Sequence, residues 1–565
     1  MSTAAKDILT AERVSYIPSV SKSADGEYVD AKTPGDLEDG ALRTGGAPVY
    51  MSAEVLSILY QYAMIGIVYG GMSSMQYAFL TGYFELETNV INSARALMAL
   101  GWSLKVVFGM FNDCFPIFGY CRKPYMLVGW FLCAIVLLVL AIRDPGERKS
   151  KSDGTVLVLL SCLASFCYVM ADVAQDALML SVAQREPLAV RGRIQSYSYA
   201  TRTVFSALIG TVCGFCLNSE QFAGTYDWDI GINGYFWILA VPSIFNVIII
   251  WFCVKDEKRE RVQVGHYLNQ FWALVQKRAV WQVLLFNFFF GLFTGSIGST
   301  ASSYVGRFWA GVENLNQQLV SVASNLLFAA VLALTGTYGT HWNWRYVLVI
   351  TILSANAIDS VCQFFTIFDV VRKQWFYLGV PLIENIPLGI NFVIGTYVIV
   401  ELAEVGNEGV MYGLLTTISN LPGSFGAIIM NMIDGRLKYD RDLIKEDARE
   451  TRTQVAYSYM ISYAIVVIGC FWVLLLPSQK AAVAELKKHG GSQPKIAAFI
   501  FFALFVVLIT SITGSLMSMF DSTSCFVLAG GDGCPEGNPQ TYLLWIFVPA
   551  IIAAIGTLYK FYTTK

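Results

Sequence analysis

Histidine is scarce, with three residues in 565, and so is charge: Asp, Glu, Lys and Arg together make up 14% of the chain, against about 25% in an ordinary soluble protein. His266, His341 and His489 all fall in loops between apolar runs, so neither an intramembrane imidazole relay nor an HExxH zinc site can be built. There is no GxxxxGK[ST] loop to cradle phosphates and no GxSxG elbow to raise a nucleophilic serine. No enzymatic activity, metal or cofactor is therefore expected. The first fifty residues hold no apolar stretch that would read as a signal peptide, and no Asn-x-Ser/Thr sequon marks an outer loop. The net charge of −2 offers no basic surplus for nucleic acid.

What the sequence has instead is apolar residues bunched into runs of about 20, the length that crosses about 30 Å of hydrocarbon. A window of about 19 residues places spans near 56–80, 91–112, 125–142, 155–180, 196–218, 234–254, 280–304, 316–338, 345–367, 375–401, 409–433 and 454–476, and two more at 496–520 and 542–562. The chain reads as an all-α polytopic membrane protein. Segments on the side of the N-terminal tail hold most of the Lys and Arg residues, which puts that tail in the cytosol. The plasma membrane is the expected location.

The composition changes divide the chain. Residues 1–50 mix Ser, Gly and Pro with Lys6, Arg13, Lys22, Lys32, Arg43 and more numerous acids, a disordered cytosolic tail. Residues 51–254 form a first bundle of six helices and 280–476 a second, joined by a basic cytosolic loop, 255–279, that carries Lys255, Lys258, Arg259, Arg261, Lys277 and Arg278. A cytosolic linker, 477–495, leads to two extra transmembrane helices in 496–565. Gly192 after the fourth span and Gly409 after the tenth stand 217 residues apart, as a parallel repeat of half the chain would place them. Gly66/Gly70, Gly210/Gly214 and Gly291/Gly295 have the spacing of close helix crossings.

Charges inside apolar spans cost about 2.5–3.5 kcal/mol each on insertion scales, so each asks for a partner or a task. Lys105 in the second span and Arg202 in the fifth lie about 10 Å deep at 1.5 Å per residue. Asp172 shares that level, and Asp176 is one turn further along the same helix face. Two bases and two acids therefore meet in the first bundle, as a balanced network tying helices together or as part of a substrate and proton path, two readings that are compatible because ion pairs can break and reform. Arg95 also lies within a span. In the second bundle Glu384 sits near the midplane between Pro381 and Pro387 with Asn385 and Asn391 close by. Prolines that remove backbone donors predict a broken helix, the usual setting of a transporter site. Asp359 reads as a solvated residue nearer the outer surface. Cys525 and Cys534 flank a Gly-rich turn between the last two spans, either a disulfide in an oxidising compartment or two free thiols.

After the second span the chain runs Trp102, Lys105, Gly109, Asp113, Pro116, Gly119-Tyr120, then Arg122-Lys123-Pro124-Tyr125. This resembles the signature loop of the major facilitator superfamily, in which an Asp and a basic cluster latch helix ends. The Lys-x3-Gly-x3-Asp-x2-Pro-x2-Gly-Tyr form is similar to the folate–biopterin transporter family in particular. Asp172-x3-Asp176-Ala177, Gly192-x2-Gln195-Ser196 and Glu408-Gly409 leading to Asn420 resemble further motifs of that family. Ser181 departs from the pattern where an acid is expected, and the last two spans lie beyond the family's twelve helices.

The resemblance implies major-facilitator-like 6+6 helix bundles with two additional C-terminal transmembrane helices. It implies secondary active transport of folate or pterin solutes by alternating access, coupled to protons, with the bilayer as the other partner. Glu384, Lys105, Arg202, Asp172, Asp176 and Asn385 are the candidate substrate and proton ligands, and Asp113, Arg122 and Lys123 the cytosolic latch. A major-facilitator carrier of another solute such as S-adenosylmethionine, or a scaffold or sensor that moves nothing, are the alternatives.

Overall fold

The computed structural model describes residues 46–534 apart from 184, 187–192, 259–262, 340–341 and 403–407. It also describes residues 551, 555 and 556 and a two-residue strand pair, Ser21–Lys22 with Tyr28–Val29. The rest of the N-terminal tail, nearly all of the expected fourteenth span, His341, and the Gly192 end of the repeat lie outside the described residues.

Among the described residues, twelve helices are long and apolar enough to cross a membrane. They are α1 (Ala53–Tyr83), α2 (Thr88–Cys114), α3 (Lys123–Ile142) and α4 (Lys151–Ala183), then, after α5, α6 (Gly231–Cys253), α7 (Arg278–Ser296), α8 (Asn314–Tyr338), α9 (Trp344–Ile367), α10 (Gln374–Leu402), α11 (Glu408–Asp434), α12 (Arg449–Leu475) and α13 (Pro494–Met519). The long helix that falls short of that apolarity is α5 (Arg193–Cys216), which carries Arg193, Gln195, Thr201, Arg202 and Thr203 in its first half. Local chemistry starts several of these helices. Ser52 Oγ accepts the Val55 N–H at 3.3 Å, Asn343 caps α9, and Pro124 and Pro494 occupy first turns, where a missing donor is harmless.

Helices α1–α6 and α7–α12 form two bundles. Trp130, Phe79, Tyr235 and Phe236 fill the first core, and Phe286, Phe290, Trp344 and Leu348 the second. Both α1 and α7, the opening helices of the two bundles, end in a π-helical turn, Tyr77–Tyr83 and Leu292–Ser296. Those turns stand about as far apart in sequence as the repeat spacing requires.

Three features depart from expectation. The central loop contains a helix, Val264–Gln276, whose buried Tyr267, Phe271, Leu274 and Val275 recur at helical spacing. The linker contains another, Lys480–His489; His266 and His489 therefore sit on short helices outside the spans. And α10 runs unbroken through Pro381 and Pro387. Membrane helices tolerate such prolines where neighbours and local adjustment satisfy the freed carbonyls.

The first glycine pair is where α1 and α5 meet. A Cβ on Gly66 would collide with the Arg202 carbonyl, and one on Gly70 with Ser206. Gly210 and Gly214 let α5 approach Gln318 and Leu315 of α8, whereas nothing lies within 4 Å of a Cβ on Gly295. Gly66→Ala is expected to lower the thermal midpoint of the purified protein by the equivalent of about 1–3 kcal/mol, the usual cost of overpacking. Gly295→Ala should leave it unchanged.

The thirteenth helix lies against α2 and α11, one from each bundle. Its C-terminal end is tied to the first bundle by Thr155 Oγ1 donating to the Met519 carbonyl at 2.9 Å and by Lys151–Asp521 at 2.6 Å. The turn that follows holds Asn89 Nδ2 on the Ala529 carbonyl at 3.1 Å. On the other side, Gly514 fits beside Ile428 and Gly435 against the Gly530 carbonyl. Cys525 and Cys534 are joined as a disulfide within this turn, with Cα atoms 5.0 Å apart.

Candidate functional site

Between the two bundles lies a chamber of about 1080 Å³. The first bundle lines it with α1, α2 and α5, and the second with α7 through α12. Its charged lining is split by sign: Arg95 comes from α2, Asp359 and Glu384 from α9 and α10. A smaller recess of about 410 Å³ shares Tyr69, Ser73, Gln76 and Arg95 with the chamber and reaches Trp102, Tyr168 and Arg202.

The intramembrane charges of the first bundle meet as the sequence suggests, but they are spent on one another. Lys105 Nζ lies 2.7 Å from Asp172 and 2.9 Å from Asp176. Tyr62 donates its hydroxyl to Asp176 at 2.6 Å, and the ammonium also lies over the Trp102 ring at 4.8 Å. Asp172 is fully buried. None of Lys105, Asp172 and Asp176 lines either cavity. The described contacts of Lys105 are those of the balanced network, a geometry compatible with a path whose ion pairs break and reform. Arg202 is the member that reaches a cavity wall, its guanidinium 5.0 Å from the Tyr199 ring centroid.

In the second bundle Glu384 faces the chamber and, among the described residues, makes no hydrogen bond or ion pair. Asn385, its neighbour, does not line the chamber, while Asn391, two turns on, does. Asp359 is not a solvated surface residue. It lines the chamber with its carboxylate oriented by Tyr463 at 2.9 Å and Gln363 at 3.1 Å.

Arg95 and the Asp359–Tyr463–Gln363 group are the residues that sequence reasoning missed. The signal for Arg95 was available: it lies ten residues before Lys105, about 15 Å along the helix, out of reach of the two acids at Lys105's level. Arg95 makes no ion pair or hydrogen bond among the described residues, and the titratable groups facing it are the hydroxyls of Tyr77, Tyr304 and Tyr377.

The chamber is sealed on the face opposite the central loop. Glu85, between α1 and α2, pairs with Arg307 at 3.2 Å, Lys149 at 3.4 Å and Arg441 at 3.7 Å. Arg307 also donates to the Thr81 carbonyl, and Arg441 to that of Glu85 at 2.8 Å. Tyr304 reaches the Leu86 carbonyl at 2.6 Å and Tyr77 that of Val312 at 2.6 Å. Beside them, Asn314 donates to the Leu217 carbonyl at 2.7 Å. Asp447, in the loop between α11 and α12, braces this face within the second bundle. Burial would raise its carboxyl, but Arg372 at 2.5 Å and Arg452 at 2.7 Å hold it down to about 2.

On the central-loop face, the described hydrogen bonds between bundles run along α2 and α11. The Val106 N–H donates to Thr417 at 3.1 Å and Asn420 to the Trp102 carbonyl at 3.3 Å. The ion pairs described there, Asp113–Arg122 at 2.6 Å and Glu54–Arg185 at 2.7 Å, stay inside the first bundle. The expected latch is thus only partly acid–base. Asp256 accepts the backbone N–H groups of Arg122 and Lys123, each at 2.9 Å. Lys123 Nζ instead caps the end of α6 through the Trp251 carbonyl at 2.8 Å.

The model of the BT1 family matches residues 66–477. The chain is 25% identical over 390 residues to the folate-biopterin transporter of Synechocystis sp., covering 67% of this chain and 74% of that protein. It is 20% identical over 428 residues to folate transporter 1 of Plasmodium falciparum, covering 72% and 76%. Among solved structures, a D-xylose-proton symporter superposes with a TM-score of 0.55 at 13% identity, over 76% of this chain and 98% of the other. The inward-open xylose transporter of E. coli gives 0.52 at 13%, over 77% and 98%. Those likenesses establish the major-facilitator fold.

Proposed function

The chain belongs to the BT1 family, and we propose that it is a secondary active carrier of folate or pterin solutes, working by alternating access and coupled to protons. At the coarser level it is a multi-pass integral membrane transporter. The names of the similar proteins from Synechocystis and Plasmodium support the solute class. Within the molecule, one observation carries the reading: a chamber between two bundles, closed on one face by the Glu85 cluster, exposes Glu384 and Asp359 on a single wall.

A pterin ring presents adjacent N–H donors on its aminopyrimidinone edge, and a carboxylate that accepts two of them gains charge-assisted bonds in matched geometry. Glu384 has no described partner to give up when the ring arrives. It is also the group that can exchange a proton with the solute's entry and exit, while Asp359 stays held by Tyr463 and Gln363. Breaking the Glu85 pairs would open the sealed face, and ion pairs that break and reform are suited to such a switch. The N-terminus is placed in the cytosol and the chain in the plasma membrane under the same reading.

The test is uptake of labelled folate and biopterin by proteoliposomes holding the full chain, with an imposed pH gradient. Uptake should saturate, rise severalfold with protons driven in the direction of transport, and fall back on adding a protonophore. No movement of any folate or pterin would overturn the solute assignment. Uptake indifferent to the gradient would overturn the coupling.

A further inference from the structure

Arg95 is a half-buried cation on the wall shared by the chamber and the recess, and it has no counter-ion among the described residues. A charge placed at membrane depth is costly even on a cavity wall, and helices that span a membrane keep such a group only where it is used. Neither bundle supplies a described anion locally: the groups facing Arg95 are the hydroxyls of Tyr77 from the first bundle and Tyr304 and Tyr377 from the second, and Asp359 is committed to Tyr463 and Gln363.

The recess beside Arg95 extends the argument. Arg95 and Arg202 both line it, and no carboxylate does. Arg202 shares the field of Asp172 and Asp176, but those acids are already paired with Lys105. Tyr69, Trp102 and Tyr168 line it beside Met72, Met98 and Ala99 and the polar Ser73, Gln76 and Asn420, with Tyr69 and Trp102 packed edge to face at 5.2 Å. A slot with aromatic walls and two planar cations matches a carboxylate-bearing tail, because guanidinium groups bind carboxylates through paired N–H donors.

We propose that this recess is an anion subsite: the solute binds with a carboxylate tail on Arg95 and Arg202 while its ring lies across the chamber against Glu384. The assignment rests on the carrier reading above and sharpens it. It makes the preferred solute a pterin that carries an amino-dicarboxylate tail, and it fixes the orientation of that solute across the two bundles. It also means that the tail engages one bundle and the ring the other, so a single molecule touches both moving parts.

The experiment is equilibrium binding of folate, which has the tail, and of biopterin, which lacks it, to the purified full-length protein and to Arg95→Gln. Wild type should bind folate more tightly than biopterin. Arg95→Gln should weaken folate roughly ten- to a hundredfold, the range for a lost charged hydrogen-bond pair, leave biopterin unchanged, and so erase the preference. Arg95→Lys should recover part of it. A variant that weakens both ligands equally, or neither, overturns the subsite while leaving the carrier reading intact. Failure of wild type to bind either ligand overturns both.

Discussion

Lys105→Ala should give a protein that folds poorly or melts far below the parent, with a loss of about 3–5 kcal/mol, the range for removing one partner of a buried ion pair. The reason lies in what would remain. Asp172 is fully buried, and its described cationic contact is Lys105 at 2.7 Å; Asp176 would keep only the Tyr62 hydroxyl. Two adjacent carboxylates would then be left with the field of Arg202 and no base in contact with them. The measurement is thermal unfolding of the purified protein followed by tryptophan fluorescence. The double variant Lys105→Met, Asp172→Leu should regain most of the lost stability, because well-packed apolar residues often replace buried ion pairs without penalty. A Lys105→Ala protein that melts with the parent would mean that the network does not hold α2 to α4.

Glu384→Gln should behave in the opposite way. The side chain faces the chamber and makes no described bond, so the melting temperature should stay within about a degree of the parent's, as expected for a position outside the recognised destabilising classes. Transport should fall instead. A lost charge-assisted hydrogen bond is worth about 1.5–3 kcal/mol, or roughly a ten- to hundredfold loss in the uptake rate at low solute. Folate and biopterin should be affected alike, since both carry the ring. That common loss separates Glu384 from Arg95, whose replacement should spare the tail-less ligand. Wild-type flux through Glu384→Gln would remove this carboxylate from the mechanism.

The bundle architecture was legible because hydrocarbon thickness imposes a length that few other constraints mimic. Even α5, whose polar residues lower its apolarity, could be found from its spacing between clearer neighbours. The central-loop helix was legible too, since Tyr267, Phe271, Leu274 and Val275 repeat at helical intervals; it is shorter than a span and escapes a window built for spans. Prolines 381 and 387 misled because their effect depends on what surrounds the freed carbonyls. The charged residues show the same limit. Sequence placed Lys105, Asp172, Asp176 and Arg202 at one level, but depth alone does not say which cation the acids take. Lys105 takes both, Arg202 is left at a cavity wall, and Arg95, ten residues earlier on the same helix, becomes the unmatched charge. The role of Asp359 depends on Tyr463, over a hundred residues away, and no local pattern could have indicated it.

The thirteenth helix has a consequence for how the carrier can move. It packs against α2 and α11, one helix from each bundle, where the bundles would slide past each other under the proposed alternating access. Its ties run to both bundles: Thr155 and Lys151 hold its C-terminal end to the first, while at its N-terminal end the Arg278 N–H donates to the Gly491 carbonyl at 3.0 Å and Ala497, Phe501 and Leu504 pack into the second core. Under that proposed cycle the helix should therefore work as a strut, with one end following each bundle and its tilt recording their separation.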